Sequence, residues 1–355
     1  MPTHIGMHAD PSRTPAPDVA PRGHASATGD AGDGERLRRL ATEVLGRVDE
    51  VVVGKHEVTS EVFMTLLAGG HVLLEDVPGV GKTTLALAFS RLLGLDCTRL
   101  QLTPDVMPSD IVGFSMYRRD TGEFAYQKGA VFCNLLLADE INRTSPKTQS
   151  ALLEAMEERR VTVDGVTRRL PDPFFVIATQ NPLGSAGTQT LPLSQLDRFM
   201  TCTSLGYPDF ASEVRMARGE TGWRRTERLE PVIDAGQLAR MQEQAGRVYV
   251  HDAVLEYAVR LVASTRSHPS LQAGASPRAT MALVAMARAC AWLEGADFVT
   301  PAMVARQFPY VVGHRMLLST QARMSGASAR DVLVDVVSGT ARPRLGRAAE
   351  RESRR

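Results

Sequence analysis

Hydrophobic positions along this chain change their period several times, and each change marks an element. Leu37, Leu40, Val44 and Val48 recur at the spacing of one helix face, and a second helical run covers about 56–68. Short apolar or β-branched runs bounded by turn residues follow at 71–75, 134–138, 174–179 and 200–205, with a more mixed run at 97–102. Continuous runs of this length fit strands buried on both faces of a parallel sheet. Helical patterns fill the gaps, for example at 82–93 and 146–158. The alternation predicts a doubly wound α/β fold. Two segments interrupt it. At 114–126, Phe114 and Met116 alternate up to Asp120-Thr121-Gly122, with Phe124 and Tyr126 beyond; at 159–169, Val161 and Val163 lead into Asp164-Gly165 and Val166. Both read as β-hairpins. After about residue 208 the strand signal stops. Helical stretches near 234–247, 251–266, 277–294, 300–318 and 328–336 predict a separate all-helical domain.

The two ends lack periodicity. Residues 1–34, rich in Ala, Pro, Gly, Asp and His, are expected to be a disordered tail, and the histidines there solvated. Residues 338–355 form a second tail with six arginines, diluted by Glu350 and Glu352. The expected layout is therefore a tail at 1–34, an α/β core at 35–207, a helical domain at 208–337 and an Arg-rich tail at 338–355.

Composition narrows the class. The 355 residues are 43% hydrophobic and 23% charged, an ordinary globular balance with room for about two domains. A net charge of +1 gives no whole-chain field favouring nucleic acid or a membrane surface. The four cysteines are widely spaced without a Cys-x-x-Cys pair, which points to reduced thiols of a cytoplasmic protein rather than disulfides or zinc. The N-terminus lacks the basic start and apolar segment of a signal peptide, and no run of eighteen apolar residues exists to span a bilayer.

The chemistry starts at residues 73–84. The apolar run Val72-Leu73-Leu74 stops at a turn, Pro78-Gly79-Val80-Gly81-Lys82-Thr83-Thr84 follows, and a helical pattern begins. Strand, glycine loop and helix is the order that a phosphate-binding loop requires, with successive backbone N–H groups able to wrap phosphates at a helix N-terminus; an ordinary strand–turn–helix with a chance Gly-Lys-Thr is the competing explanation. Lys82 would reach the β- and γ-phosphates and Thr83 would place its hydroxyl on Mg²⁺. The pattern asks for glycine at position 76, where this chain has Asp76, whose carboxylate must point away from the phosphates. Downstream, the apolar strand 135–138 ends in Asp139-Glu140, where α/β sheets bind ligands. Asp139 would hold the Mg²⁺ shell and Glu140 would orient or deprotonate the attacking water. The next strand ends in Thr179-Gln180-Asn181-Pro182, whose amide can reach the γ-phosphate or its water; a plain polar turn is the competing explanation.

These motifs, followed by Leu196-Asp197-Arg198-Phe199 and Ser276-Pro277-Arg278-Ala279, stand in the order of AAA+ ATPases. Longer strings, above all Ala138-Asp139-Glu140-Ile141-Asn142-Arg143 together with the runs 70–75, 102–105, 108–111, 146–156 and 178–182, resemble the MoxR family over roughly residues 36–335. The resemblance implies a P-loop NTPase core with a parallel sheet and two β-hairpin inserts, followed by an all-helical lid. It implies ATP and Mg²⁺ as cofactors. Lys82 and Thr83 correspond to Walker A, Asp139 and Glu140 to Walker B, and Asn181 to sensor 1. Arg198 resembles the arginine finger that reaches the neighbouring subunit's ATP, Arg278 resembles sensor 2, and Val53-Gly54 would lie near adenine. Leu193-Ser194 departs from the Glu-Ala common in relatives.

Three functions follow from this reading. One is a homo-oligomeric, hexameric ring that hydrolyses ATP to remodel or mature a protein client. The resemblance suggests a partner with a von Willebrand A-type domain, and the hairpin aromatics Phe114, Tyr117, Phe124 and Tyr126 are candidate contacts or hairpin packing. A second is a nucleic-acid motor using Arg159, Arg160, Arg168 and Arg169 of the second hairpin, which the charge balance opposes. A third is a nucleotide-gated scaffold with little turnover, which the intact Glu140 opposes.

Overall fold

The computed structural model describes residues 27–77, 79–181, 190–219 and 223–344. Helix α1 (Ala27–Val51) begins the chain and α2 (His56–Leu67) follows. Of the stripe expected on α1, Leu37, Val44 and Val48 are fully buried, Leu40 is half-buried against the same core, and Ala41 joins them. The helix nevertheless starts inside the stretch expected to be a tail. Within that stretch Asp33 pairs at 3.3 Å with Arg240, far along the chain. A docking contact with residues far along the chain leaves no periodic trace in residues 27–34.

The sheet strands are β1 (Val72–Glu75), β2 (Cys97–Gln101), β5 (Leu135–Asp139), β8 (Phe175–Gln180) and β9 (Thr201–Thr203), in the order β2-β5-β8-β1-β9. All four pairings are parallel. Helix α3 (Lys82–Leu92) connects β1 to β2; α4 (Pro108–Val112) and α5 (Pro146–Glu158) flank β5; α6 (Leu193–Leu196) precedes β9. The two hairpins are β3 (Gly113–Arg118) with β4 (Glu123–Lys128), and β6 (Arg160–Val163) with β7 (Val166–Arg169).

Alternation along the central strands divides the core between the two faces. Val72, Leu74, Leu135, Leu137, Phe175 and Ile177 pack with α1, α2 and α3. Leu73, Leu136, Ala138, Val176 and Ala178 pack on the other face with Leu152, Leu153 and Met156 of α5. Both faces are covered, which is why these strands read as continuous apolar runs.

The lid follows as α7 (Phe210–Ala217), α8 (Trp223–Thr226), α9 (Ala235–Gly246), α10 (Asp252–Arg266), α11 (Pro277–Leu293), α12 (Pro301–Val312), α13 (Thr320–Met324) and α14 (Ala329–Gly339). Its buried residues join those of the α1–α3 face in one cluster, so the lid shares a core with the sheet. The helix expected to reach 318 ends at Val312. Beyond it, β11 (Leu317–Leu318) pairs antiparallel with β10 (Leu271–Ala273). A ladder that short has no periodicity of its own to read. No described helix is long and apolar enough to cross a membrane, and all four cysteines are thiols.

Candidate functional site

The C-terminal ends of β1, β5 and β8 lie side by side, because Leu137 pairs with Ile177 and Val72 pairs with the same residue from the other side. A cavity of about 520 Å³ opens there. It is lined by Gly79, Gly81, Lys82, Thr83 and Thr84 from the loop, Arg99 and Gln101 from β2, and Asp139, Glu140 and Asn181. Residues from four separate stretches of sequence thus meet at one sheet edge. Pro78 and Pro182 lie outside the described residues.

Glycine is needed at two loop positions. Gly79 and Gly81 have φ of +89° and +102°, where an L side chain is strained, and a Cβ on either would meet no atom within 4 Å. Gly81 is also the N-cap of α3, and no side chain caps that helix. Its first N–H groups therefore remain available to an anion. Lys82 is buried, and its Nζ donates to the Asp76 carbonyl at 2.9 Å. Burial lowers its ammonium below the ordinary lysine range, against the opposing pull of Asp139, Asp76 and Glu140.

The two acids at the end of β5 have separate settings. Asp139 accepts from Thr179 Oγ1 at 2.6 Å and pairs with Arg99 at 2.9 Å. Glu140 takes φ of +59°, and its N–H donates to the same Thr179 oxygen at 2.9 Å. Its carboxylate accepts from Asn181 Nδ2 at 3.0 Å and from Arg143 at 2.7 Å. Burial raises the Glu140 pKa, but the Arg143 and Asn181 hydrogen bonds outweigh it and hold the carboxyl below its ordinary range. Asn181 Oδ1 is buried with no partner among the described residues. An open glycine cradle, an uncapped helix, a buried ammonium, a hydroxyl beside a carboxylate and an orphaned amide oxygen together fit a triphosphate with its divalent cation.

Asp76 resolves the departure seen in the loop. Its carboxylate is turned away and accepts from Ser204 Oγ, Leu205 N and Gly206 N at 2.6, 2.7 and 2.9 Å.

Arg198 and Arg278 are absent from this cavity. Both sit by the opposite, N-terminal end of β1, around a second cavity of about 430 Å³ that Gly70 and His71 also line. Glu157 at the end of α5 holds the pair: Arg198 at 3.0 Å and Arg278 by a shorter ion pair. His71 is neutral there, because burial pushes it down to about 4; its Nδ1 accepts from Val176 N and its Nε2 donates to Met156 O. Buried Arg315 fixes the turn before β9 through Asp197 at 2.8 Å and the carbonyls of Phe199 and Met200. Val53 and Gly54 also line none of this cavity; Gly54 instead packs on Asp209 and Ser212.

Sequence reasoning missed Arg99, Arg143, Thr179, Glu157 and Arg315. Arg143 and Thr179 lie inside strings already singled out, so proximity to Glu140 and Asn181 was a usable signal. Glu157 and Arg315 are single charges on helical patterns, and only packing identifies them. The hairpin groups divide too. Phe114, Tyr117 and Phe124 are exposed, whereas Tyr126 packs between the hairpins with Arg168 over its ring at 3.7 Å. Arg159 and Arg160 are engaged with Gly69 and Glu158. Three of the four hairpin arginines are therefore committed within the chain.

Comparison with known proteins agrees with this geometry. Residues 71–201 match the ATPase family associated with various cellular activities (AAA), and residues 263–336 match the AAA lid domain. The chaperone MoxR1 of Mycobacterium tuberculosis is 38% identical over 345 residues, covering 94% of this chain and 89% of the relative. The chain belongs to the MoxR family of AAA+ ATPases. A further match is the uncharacterized protein YeaC of Bacillus subtilis, 45% identical over 309 residues, 87% of this chain and 97% of that protein. A crystal structure from Cytophaga hutchinsonii superposes with a TM-score of 0.83 at 32% identity, covering 89% of this chain and 99% of that one. MoxR membership accounts for the parallel sheet and the helical lid together.

Proposed function

We propose that this chain is a Mg²⁺-dependent ATPase of the cytoplasm that works as a homo-oligomeric, hexameric ring and uses hydrolysis to remodel or mature a protein client. The resemblance to MoxR proteins makes a von Willebrand A-type partner the first to test. One observation carries the reading. The groups that would bind and activate sit at one end of the sheet, and the two arginines that would stabilise transferred charge sit at the other, gathered on one carboxylate. A single subunit cannot bring both ends to one phosphate; two subunits in a ring can.

In this arrangement the backbone from Gly79 to Thr84 and Lys82 hold the phosphates, and Thr83 and Asp139 would hold Mg²⁺. The cation, when bound, neutralises charge on the phosphate oxygens. Glu140, kept ionised by Arg143 and Asn181, orients a water and takes its proton. The orphaned Asn181 Oδ1 accepts a hydrogen bond from the same water. Arg198 and Arg278 of the adjacent subunit supply positive charge, an effect worth about 10³–10⁵ in rate for an arginine in trans.

The test uses two variants. Glu140→Gln should bind ATP as the parent does and lose steady-state hydrolysis; unchanged hydrolysis would exclude the role given to Glu140. Arg198→Ala and Lys82→Ala should each be inactive alone and regain activity when mixed, because mixed rings contain some intact interfaces. Absence of recovery at every ratio would refute sharing between subunits.

A further inference from the structure

A groove of about 1200 Å³ lies between α12 and α14 and shares no lining residue with the nucleotide cavity. It exceeds the roughly 300–1,000 Å³ of an ordinary small-molecule site. Helix α14 lines it with Arg330, Leu333, Val334, Val337 and Ser338, one helix face at i, i+3, i+4, i+7 and i+8. Along that face Leu333 is buried, Val337 is half-buried and Val334 is 62% exposed.

The other walls offer main-chain groups. Thr203 and Ser204 line the groove from β9 and the turn after it. β9 ends the sheet and pairs with β1 alone among the described strands, so its outer edge is an edge to which an extended chain can add. On α12, Ala305 and Pro309 both line the groove. Pro309 lies inside that helix and has no N–H to give the Ala305 carbonyl four residues back. A peptide N–H can replace the missing donor, whereas an acyl chain cannot.

Charge narrows the occupant further. Arg306, Arg330 and Arg342 line the groove against one carboxylate, Glu57. The acids nearby are engaged already. Glu57 accepts from the Tyr310 hydroxyl, and Glu294 pairs with Arg306. Asp331 accepts from the Ser328 N–H at 2.8 Å, and Asp335 pairs with His268 at 3.0 Å. Among the described residues, no ion pair engages Arg330 or Arg342. The chain's own last residues have the wrong sign: 345–355 contain Arg347, Arg351, Arg354 and Arg355 against Glu350 and Glu352.

We propose that this groove docks an extended segment of a partner protein in which apolar residues alternate with carboxylates. The apolar residues lie on Leu333, Val334 and Val337, the carboxylates reach Arg330 and Arg342, and the segment's N–H groups face the Ala305 carbonyl and the edge of β9. The site is additional to the nucleotide cavity and does not depend on it.

The experiment measures fluorescence anisotropy of a labelled peptide of about ten residues, alternating valine and glutamate, with the full chain. A valine–lysine peptide of the same length is the control. The glutamate peptide should bind saturably and the lysine peptide should not. Arg330→Glu, Arg342→Glu and Val334→Asp should each weaken binding by about tenfold, and the two charge reversals together should transfer preference to the lysine peptide. All three positions are exposed and outside the nucleotide cavity, so ATP affinity should stay at the parent value and report an intact fold. Saturating Mg²⁺-ATP should not displace the peptide. Absence of saturable binding, equal binding of both peptides, or indifference to the arginine variants would overturn the proposal. So would displacement by Mg²⁺-ATP, which would make the groove part of the nucleotide site. Displacement by a synthetic peptide of residues 345–355 would make the chain's own end the occupant. Binding to phosphatidylglycerol vesicles without binding to the peptide would assign the groove to a lipid surface, and either result would overturn the partner segment. A parent chain that binds ATP but no peptide would refute the groove alone; one that binds the peptide but no ATP would refute only the nucleotide reading.

Discussion

Glu61 on α2 illustrates how much a single residue can depend on its surroundings. It is 4% exposed, and Gln307 of α12 donates to its Oε1 at 3.1 Å. Glu61 Oε2 and Gln307 Oε1 are both buried and without partners among the described residues. Burial raises the carboxyl from 4.5 to about 7, against the Gln307 hydrogen bond and Arg306. The folded state therefore holds this proton more tightly than the unfolded chain does. Below pH 4.5 both states are protonated and there is no penalty. Stability falls as pH rises from 4.5 through 7, by roughly 3 kcal/mol in all. Glu61→Gln should remove that slope and be more stable than the parent at pH 8, with a smaller difference at pH 5. Urea unfolding at the two pH values measures it, and a parallel slope in both proteins would refute the assignment. The position reads in the sequence as one more polar residue on a helix, because burial by α12 comes from residues hundreds of places away.

At the scale of elements, the joined ends of β5 and β8 form the working part of the site. Their register puts Thr179 beside Asp139 and Glu140, so one hydroxyl donates to the first carboxylate and accepts from the second residue's N–H. Glu140 at positive φ is an uncommon backbone state for a non-glycine residue, and this hydrogen bond helps to maintain it. Thr179→Val should leave ATP affinity near the parent value and lower kcat by about 10- to 100-fold, with Thr179→Ser restoring most of it. Single-turnover kinetics distinguishes this from a binding defect; an equal loss in Thr179→Ser would count against the hydroxyl. The strands themselves were legible, since 134–138 and 174–179 are apolar runs of the right length. Their adjacency was not, because parallel neighbours are separated by crossovers that no local pattern encodes.

For the whole molecule, the joint between core and lid decides where Arg198 and Arg278 stand. Asp197 accepts from Arg315 at 2.8 Å and from Ser276 Oγ at 2.8 Å, tying the turn before β9 to the start of α11. Arg315 is buried, and its guanidinium also satisfies the carbonyls of Phe199, Met200 and Val311. Arg315→Met should cost about 3–5 kcal/mol in unfolding free energy, because it leaves the Asp197 charge with the Ser276 hydroxyl alone and several carbonyls without their donor. Arg315→Lys should recover little, since an ammonium cannot span the same acceptors. Denaturant midpoints with an unchanged m-value provide the measurement, and a loss below about 1 kcal/mol would refute a structural joint. Glu157→Gln acts at the same scale. Without the carboxylate, Arg198 and Arg278 lose their common partner, so ATP binding should persist while ring turnover falls; parent-like turnover would mean that the arginines are positioned by other contacts.

The order of motifs, the phosphate loop and the paired acids were determined by sequence alone, because each is local: a strand, a turn that needs glycine and a helix start within a dozen residues. The hairpins and most helix limits were local for the same reason. Tertiary structure alone decided which donors hold the Asp76 carboxylate away from the loop, that Tyr126 is packed while Phe124 is exposed, and that Arg198 and Arg278 stand apart from Lys82. Those outcomes depend on which distant segments supply donors and cover surfaces, and the strand order of the sheet, which a linear pattern does not contain, sets that pairing.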